Sequence, residues 1–199
     1  MDKILLIGSG NPGKQQELQA LLADTPWIVK GLKDFDEIPE PEETEATFEG
    51  NALLKARYYG EQFGVACVAD DSGIQVNALN GEPGVYSARY AGEACSYNDN
   101  NQKLLKALEN LPTEQRGARF VCCAAFVGTD SSEHVEVGTV DGIIAPHCKG
   151  DQGFGYDPVF IPEGYEHTFA ELGLDVKSQV SHRGRAFQAM STFLQSYSD

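Results

Sequence analysis

Several short clusters in this chain have the right residue types to handle a charged, oxygen-rich ligand. Asp70 and Asp71 are adjacent carboxylates, followed by Ser72 and Gly73, at the end of the apolar run Val65-Ala66-Cys67-Val68-Ala69. Carboxylates accept protons and hold hard cations, and ligands of open α/β sheets gather just beyond the carboxyl ends of strands. Strand side chains alternate between faces, so both acids serve one cleft only if the chain bends after Asp70. One is expected to be chemical and the other structural. The plain alternative is a strand-to-turn connection in which Asp and Gly only make the turn.

A second cluster, Gly8-Ser9-Gly10-Asn11-Pro12-Gly13-Lys14, follows another apolar run and leads into leucines at helical spacing. Such a loop turns backbone N–H groups toward a positive helix end, where phosphate binds. Gly8, Gly13 and Lys14 satisfy G-x-x-x-x-G-K, yet Gln15 stands where a P-loop needs Ser or Thr to hold magnesium. The same residues also suit an ordinary turn and helix cap. The acid-rich stretch from Asp34 to Glu45 contains Glu40, Glu42 and Glu43, any of which offers magnesium a carboxylate or is simply solvated. Gly153-Phe154-Gly155-Tyr156-Asp157-Pro158 interleaves glycines, which let backbone approach a ligand, with rings on which one can stack. His182, Arg183 and Arg185 crowd the start of a helix capped by Ser181. Cations are unfavourable there, so they are expected to serve a ligand.

These residues need strands and helices to hold them. Lys3–Ile7 reads as a strand, the helix after Lys14 carries Leu18, Leu21 and Leu22, and Trp27–Leu32 is a second strand. Thr47 caps a helix through Phe48, Ala52, Leu53, Ala56, Tyr59 and Phe63, which carries Lys55 toward phosphate or solvent. Val65–Ala69 is an interior strand, Ile74, Val76 and Ala78 a half-buried one, and residues 80–84 a turn. Leu104, Leu105, Leu108 and Leu111 mark a helix that stops at Pro112. Phe120–Val127 and Val135–Ile144 are long strands joined through Gly128–Ser132, which makes the sheet mixed. Ala186, Phe187, Met190 and Phe193 line the last helix.

With 199 residues, 41% hydrophobic and 23% charged, the chain is expected to form one domain, 1–199, bilobed at most. Its formal charge of −15 argues against binding nucleic acid or an anionic membrane, which relies on clustered Lys and Arg. The run before Gly8 is too short for a signal peptide, and no apolar run nears the roughly 20 residues of a membrane span. Five cysteines without a C-x-x-C pair fit a reducing cytoplasm, and the histidines lack zinc spacing.

Taken in order, Ser9 to Lys14, Glu42-Glu43-Thr44 with Thr47-Phe48 and Asn51-Ala52, Ala69 to Gly73, Gly153 to Pro158 and Ser181-His182-Arg183 resemble the HAM1/RdgB family of inosine triphosphate pyrophosphatases. The likeness runs from about Ile4 to the last helix. It implies an α/β fold with a mixed elongated central sheet flanked by helices and two lobes with the active site in the cleft between them. It also implies a homodimer and magnesium-dependent hydrolysis of ITP, dITP and XTP to monophosphate and pyrophosphate. By resemblance, Ser9, Gly10, Asn11, Pro12, Gly13 and Lys14 hold the triphosphate, Lys14 assisting the chemistry. Asp71 is catalytic acceptor and metal ligand, with Glu42 beside it unless Glu40 or Glu43 replaces it. Ser72 touches the substrate, and Lys55 and Arg89 flank the phosphates. Phe154, Gly155, Tyr156, Asp157, Lys177, His182 and Arg183 take the base. No Ser-His-Asp or Cys-His arrangement suggests a covalent intermediate. Two rivals remain: a P-loop-like NTPase or kinase, and a nucleotide-binding sensor without turnover.

Overall fold

The computed structural model describes residues 3–10 and 12–197, and for Pro12, Gly13, Glu17, Leu174 and Ser178 the backbone alone. The elements are β1 (Lys3–Ile7), α1 (Pro12–Leu21), β2 (Trp27–Gly31), α2 (Phe48–Phe63), β3 (Ala66–Val76), α3 (Tyr97–Ala107), β4 (Gly117–Val127), β5 (Glu133–Ile144), β6 (Phe160–Pro162), α4 (Phe169–Val180) and α5 (His182–Ser196). The strands make one sheet in the order β2-β1-β3-β4-β5-β6. β1 runs parallel to β2 and β3, whereas β5 and β6 are antiparallel, so the mixed α/β expectation is met. Among the described residues no helix is long and apolar enough to cross a membrane.

The chain forms two compact units, whose boundaries fall inside β3, β4, β5 and α5. The first takes the described residues through Asp71, with Cys122–Gly138 and those from Arg185 onward. Its core follows from strand alternation: Leu5 and Ile7, Trp27 and Val29, Ala66 and Val68 turn one face of β1, β2 and β3 toward Leu18 of α1, Leu22 just beyond it, and Phe187 and Met190 of α5. Burying each such large side chain contributes about 1.5–3 kcal/mol. Trp27 also donates its indole N–H to the Leu194 carbonyl at 3.0 Å. The second unit takes Ser72–Val121 and Thr139–Gly184. Its core joins Ile74 and Val76 of β3, Leu104 of α3, Phe120 of β4 and Phe160 and Phe169. Arg116, also buried, donates to the carbonyls of Leu108, Leu111 and Ala145, of which Leu108 caps the end of α3.

α2 shows how local sequence sets the elements. The Thr47 hydroxyl accepts the Gly50 N–H, Gly64 ends the helix at φ 64°, and Phe48, Asn51, Ala52, Ala56 and Tyr59 are buried along one face. Three expectations need correction. β3 does not stop at Ala69 but runs through Asp70, Asp71, Ser72 and Gly73 to Val76, because each acid finds a partner in place. The proposed separate strand at Ile74 to Ala78 is therefore the end of β3 followed by a short 3-10 turn, Asn77–Leu79. The foreseen helix ends at Ala107. β6 and α4 were not foreseen. The signal for α4 is the Thr168–Glu171 capping box, and the helix breaks at Gly173, where φ is 83°.

Candidate functional site

In the first unit, alternation along β3 sends the two acids opposite ways. Asp70 shares its face with Ala66 and Val68 and has a fully buried side chain. A carboxylate among apolar groups requires a cation, and Lys14 supplies it: its Nζ lies 2.7 Å from Asp70 Oδ1. Asp70 is thus the structural acid. Asp71 faces α2 instead. Asn51 and Lys55 lie one turn apart, on one face of that helix. Asn51 Nδ2 donates to Asp71 Oδ2 at 3.2 Å, and Lys55 Nζ stands 3.8 Å from Asp71 Oδ1. Lys55 also contacts Glu43 Oε1 at 2.5 Å, and Asn51 Oδ1 accepts the Glu45 N–H. The acid-rich loop is therefore tied to Asp71 through α2. Glu42 is exposed, while Glu40 lines a separate hollow with Phe35, Tyr59 and Phe63.

The glycine-rich loop begins where Gly8 donates to the Val68 carbonyl at 2.8 Å. A Cβ at Gly8 would meet the Tyr59 ring at 2.8 Å, so only glycine lets the loop leave β1 here. Ser9 donates its N–H to Ile7, Asn11 lies outside the described residues, and Pro12 opens α1 with Lys14 in the first turn. Gln15 turns its amide toward Gly31 and Asp34, not toward the site of a P-loop hydroxyl. Among the described residues beside Asp71 the cysteine and tyrosine are held in their neutral forms. Burial first, then the charges of Glu49 and Asp71, push the Cys123 thiol up to about 11. Burial, then Glu40, pushes the Tyr59 phenol up to about 12.

Magnesium suits this donor set. Asp71 and Glu43 place carboxylate oxygens, hard donors of the kind magnesium takes, on either side of Lys55. Among the described residues no three His, Cys, Asp or Glu converge on one point.

In the second unit, a cavity of about 150 Å³ brings together Ser72, Phe154, Gly155, Tyr156, Asp157, Lys177, His182 and Arg183. Eight residues selected from sequence thus meet in one hollow. Its size is below the ~300–1,000 Å³ of pockets for drug-sized molecules and suits a single ring system. Asp157, buried, accepts the Phe154 N–H at 2.9 Å and Lys177 Nζ at 2.5 Å, both on Oδ2. Burial pushes the Lys177 ammonium below the ordinary lysine range, against the opposing pull of Asp157. Lys177 Nζ and the Arg183 guanidinium lie 4.4 and 5.6 Å from the centre of the Phe154 ring. His182 stacks on Phe120, centroids 4.6 Å apart and planes within 5°, and Ser181 caps Gly184 at 3.0 Å. Arg89 is not in this lining; its guanidinium lies 5.2 Å from the Tyr86 ring.

Sequence alone missed Asn51, Ser87, Tyr97 and Phe120. Ser87 Oγ accepts the Ile74 N–H and its carbonyl accepts the Tyr156 hydroxyl. Tyr97, half exposed at the rim, lies 6.2 Å from Phe154. Asn51 could have been found from its spacing to Lys55, a polar pair on the buried side of an amphipathic helix.

The chain matches the Ham1 family model over residues 5–193. It is 44% identical to a dITP/XTP pyrophosphatase of Elusimicrobium minutum, covering 94% of this chain and 97% of that one. Among solved structures, the Staphylococcus aureus Ham1 protein is similar at a TM-score of 0.90 and 42% identity, covering 96% of this chain and 98% of that one. A HAM1 protein from Coxiella burnetii gives 0.91 and 38%, covering 98% and 100%.

Proposed function

The chain belongs to the Ham1 family, and from that premise we propose that it hydrolyses non-standard purine nucleoside triphosphates, ITP, dITP and XTP, to the monophosphate and pyrophosphate with magnesium. The observation that carries the choice of base is the ring-sized cavity in which Lys177, His182 and Arg183 converge. Lysine and arginine side chains only donate. Hypoxanthine and xanthine carry an accepting oxygen at C6, whereas adenine carries an amino group that would leave a donor unpaired, at about 1–3 kcal/mol or more when charged. Curated relatives bearing the name dITP/XTP pyrophosphatase support the same substrate class.

Ser9 to Lys14 and Lys55 hold the triphosphate in this scheme, with Arg89 an outlying cation. Asp71 accepts the proton of the water that attacks the α-phosphorus, and Lys14 and Lys55 offset charge that develops on the phosphate oxygens. Magnesium held by Asp71 and Glu42 would supply further positive charge on those oxygens. Asn51 fixes the Asp71 carboxylate, so its orientation is set before substrate arrives. We extend the proposal to a cytoplasmic homodimer acting on free nucleotides; the formal charge of −15 bears on the last part alone, since it disfavours nucleic acid.

Purified protein is to be mixed with magnesium and a panel of nucleoside triphosphates, and the products separated. Pyrophosphate with IMP, dIMP or XMP is expected. Orthophosphate with a diphosphate would favour a P-loop-like NTPase, and binding without turnover would favour a sensor.

A further inference from the structure

α3 borders the second-unit cavity through Tyr97, and no motif marks it. Its residues Tyr97, Asn100, Asn101 and Leu104 recur at the spacing of one helix face. Leu104 enters the core, Tyr97 reaches the rim, and the two asparagines between them are buried. Asn100 accepts the Ala91 N–H at 2.7 Å and donates to the Ala88 carbonyl at 3.1 Å. Asn101 Nδ2 donates to the Gly155 carbonyl at 2.9 Å. Each asparagine therefore holds a backbone segment that lines the cavity.

Gly155 is where such a hold matters. Gly153 and Gly155 sit at φ 79° and 64° on either side of Phe154, a pattern that leaves the loop free to turn its peptides. Other ties act on neighbouring residues: Asp157 accepts the Phe154 N–H and donates its own N–H to the Phe154 carbonyl, and the Tyr156 hydroxyl donates to Ser87. The Gly155 carbonyl is fixed by α3. Asn101 is also a poor choice for stability alone. It is 3% exposed, and its Oδ1 has no hydrogen-bond partner among the described residues. A buried unsatisfied oxygen costs about 1–3 kcal/mol, and such departures from a satisfied core concentrate at functional sites.

We infer that Asn101 is a positioning residue for base selection: by fixing the Gly155 carbonyl it sets where Phe154 and Asp157 stand in the cavity. The inference rests on the proposed hydrolysis of ITP and deepens it. Losing the hold releases the base-facing loop and leaves Asp71, Lys14 and Lys55 untouched, so affinity and selectivity fall while turnover at saturation persists.

The test compares wild type with Asn101→Asp, which keeps the shape but loses the donor, and Asn101→Ser, which restores a shorter donor. KM for ITP in Asn101→Asp should rise about tenfold with kcat within about threefold, and the ITP-to-ATP ratio of kcat/KM should narrow about tenfold, the range a polar contact controls. Binding of IMP by titration calorimetry should weaken about as much, while binding of pyrophosphate should not change; Asn101→Ser should recover part of the loss. An unchanged KM and ratio in a folded Asn101→Asp would overturn the inference, as would equal loss in both variants or failure of both to fold, each of which assigns Asn101 to the core. Absence of ITP hydrolysis by wild type would instead sink the proposed activity itself.

Discussion

The two units treat charge in opposite ways. In the first, each cation near the glycine-rich loop already has an acid: Lys14 has Asp70 at 2.7 Å, and Lys55 has Glu43 at 2.5 Å and Asp71 at 3.8 Å. In the second, Lys177 has Asp157, but Lys177 and Arg183 also lie over an aromatic ring. The Lys55 contacts are partly exposed and open to exchange, whereas Lys14 is held by the buried Asp70 carboxylate. Ring-packed donors keep their directions because packing fixes them. The difference suits the division of work in the proposed function: phosphate demands charge that can be exchanged, and a base demands donors that stay put.

The largest expected effect contrasts the neighbouring acids. Asp71→Asn should lower kcat about 100-fold or more with a smaller change in melting temperature than at Asp70, because the amide keeps the shape of the carboxylate and an oxygen to accept from Asn51. Asp70→Asn should do the reverse, costing about 3 kcal/mol of stability by stranding Lys14 against a buried amide, with activity per folded molecule falling less. Thermal melts and initial rates on both variants decide the matter. If Asp71→Asn kept more than about a tenth of wild-type activity, a loss of only ~1.4 kcal/mol, Asp71 would not be the centre of the site.

That contrast shows how far the sequence could be read. Alternation alone says that two adjacent strand acids point apart, and the structure bears this out. Which acid is which required knowing that Ala66 and Val68 face the first core, a tertiary fact. The end of β3 was misplaced for the same reason: a carboxylate pair looks like a strand terminus until its partners, 56 residues away for Asp70 and 20 for Asp71, are seen. The cavity residues were legible because they come in short runs with unusual composition. Tyr97, Asn101 and Phe120 were not, because a tyrosine, an asparagine and a phenylalanine in regular elements look like any helix or strand. Lys177 came from resemblance alone, since α4 itself went unrecognised.

Arg183→Ala sharpens the second half of the comparison. ITP hydrolysis should fall much more than residual ATP hydrolysis, narrowing the ratio of kcat/KM about tenfold. An equal fall in both would place Arg183 on phosphate or in the fold and remove base reading from its role.

A smaller effect separates the acids of the loop. Glu42→Gln should raise the magnesium concentration for half-maximal activity by a few-fold, about what one carboxylate ligand contributes, and Glu43→Gln should raise it less, because Glu43 is engaged with Lys55. A normal magnesium response in Glu42→Gln would move the ligand to a neighbouring acid.

The smallest effect is a slope of stability with pH. Burial lowers the Lys177 pKa in spite of Asp157, whereas the unfolded lysine titrates at about 10.4. Between the folded and unfolded values the unfolded chain binds more protons, so this lysine makes stability rise with pH across that window, and its contribution is lost as pH falls through the folded value. Tyr90, pushed up by burial, works in the opposite direction at high pH, because its folded form keeps its proton longer. The Lys177 part therefore has to be read as a difference. Urea unfolding of wild type and Lys177→Met from about pH 8 to about pH 10 should show wild type gaining stability relative to the variant as pH rises. A difference that stayed flat or fell would mean that Asp157 outweighs burial. The second unit would then hold its lysine as an ordinary ion pair, no different in kind from those of the first.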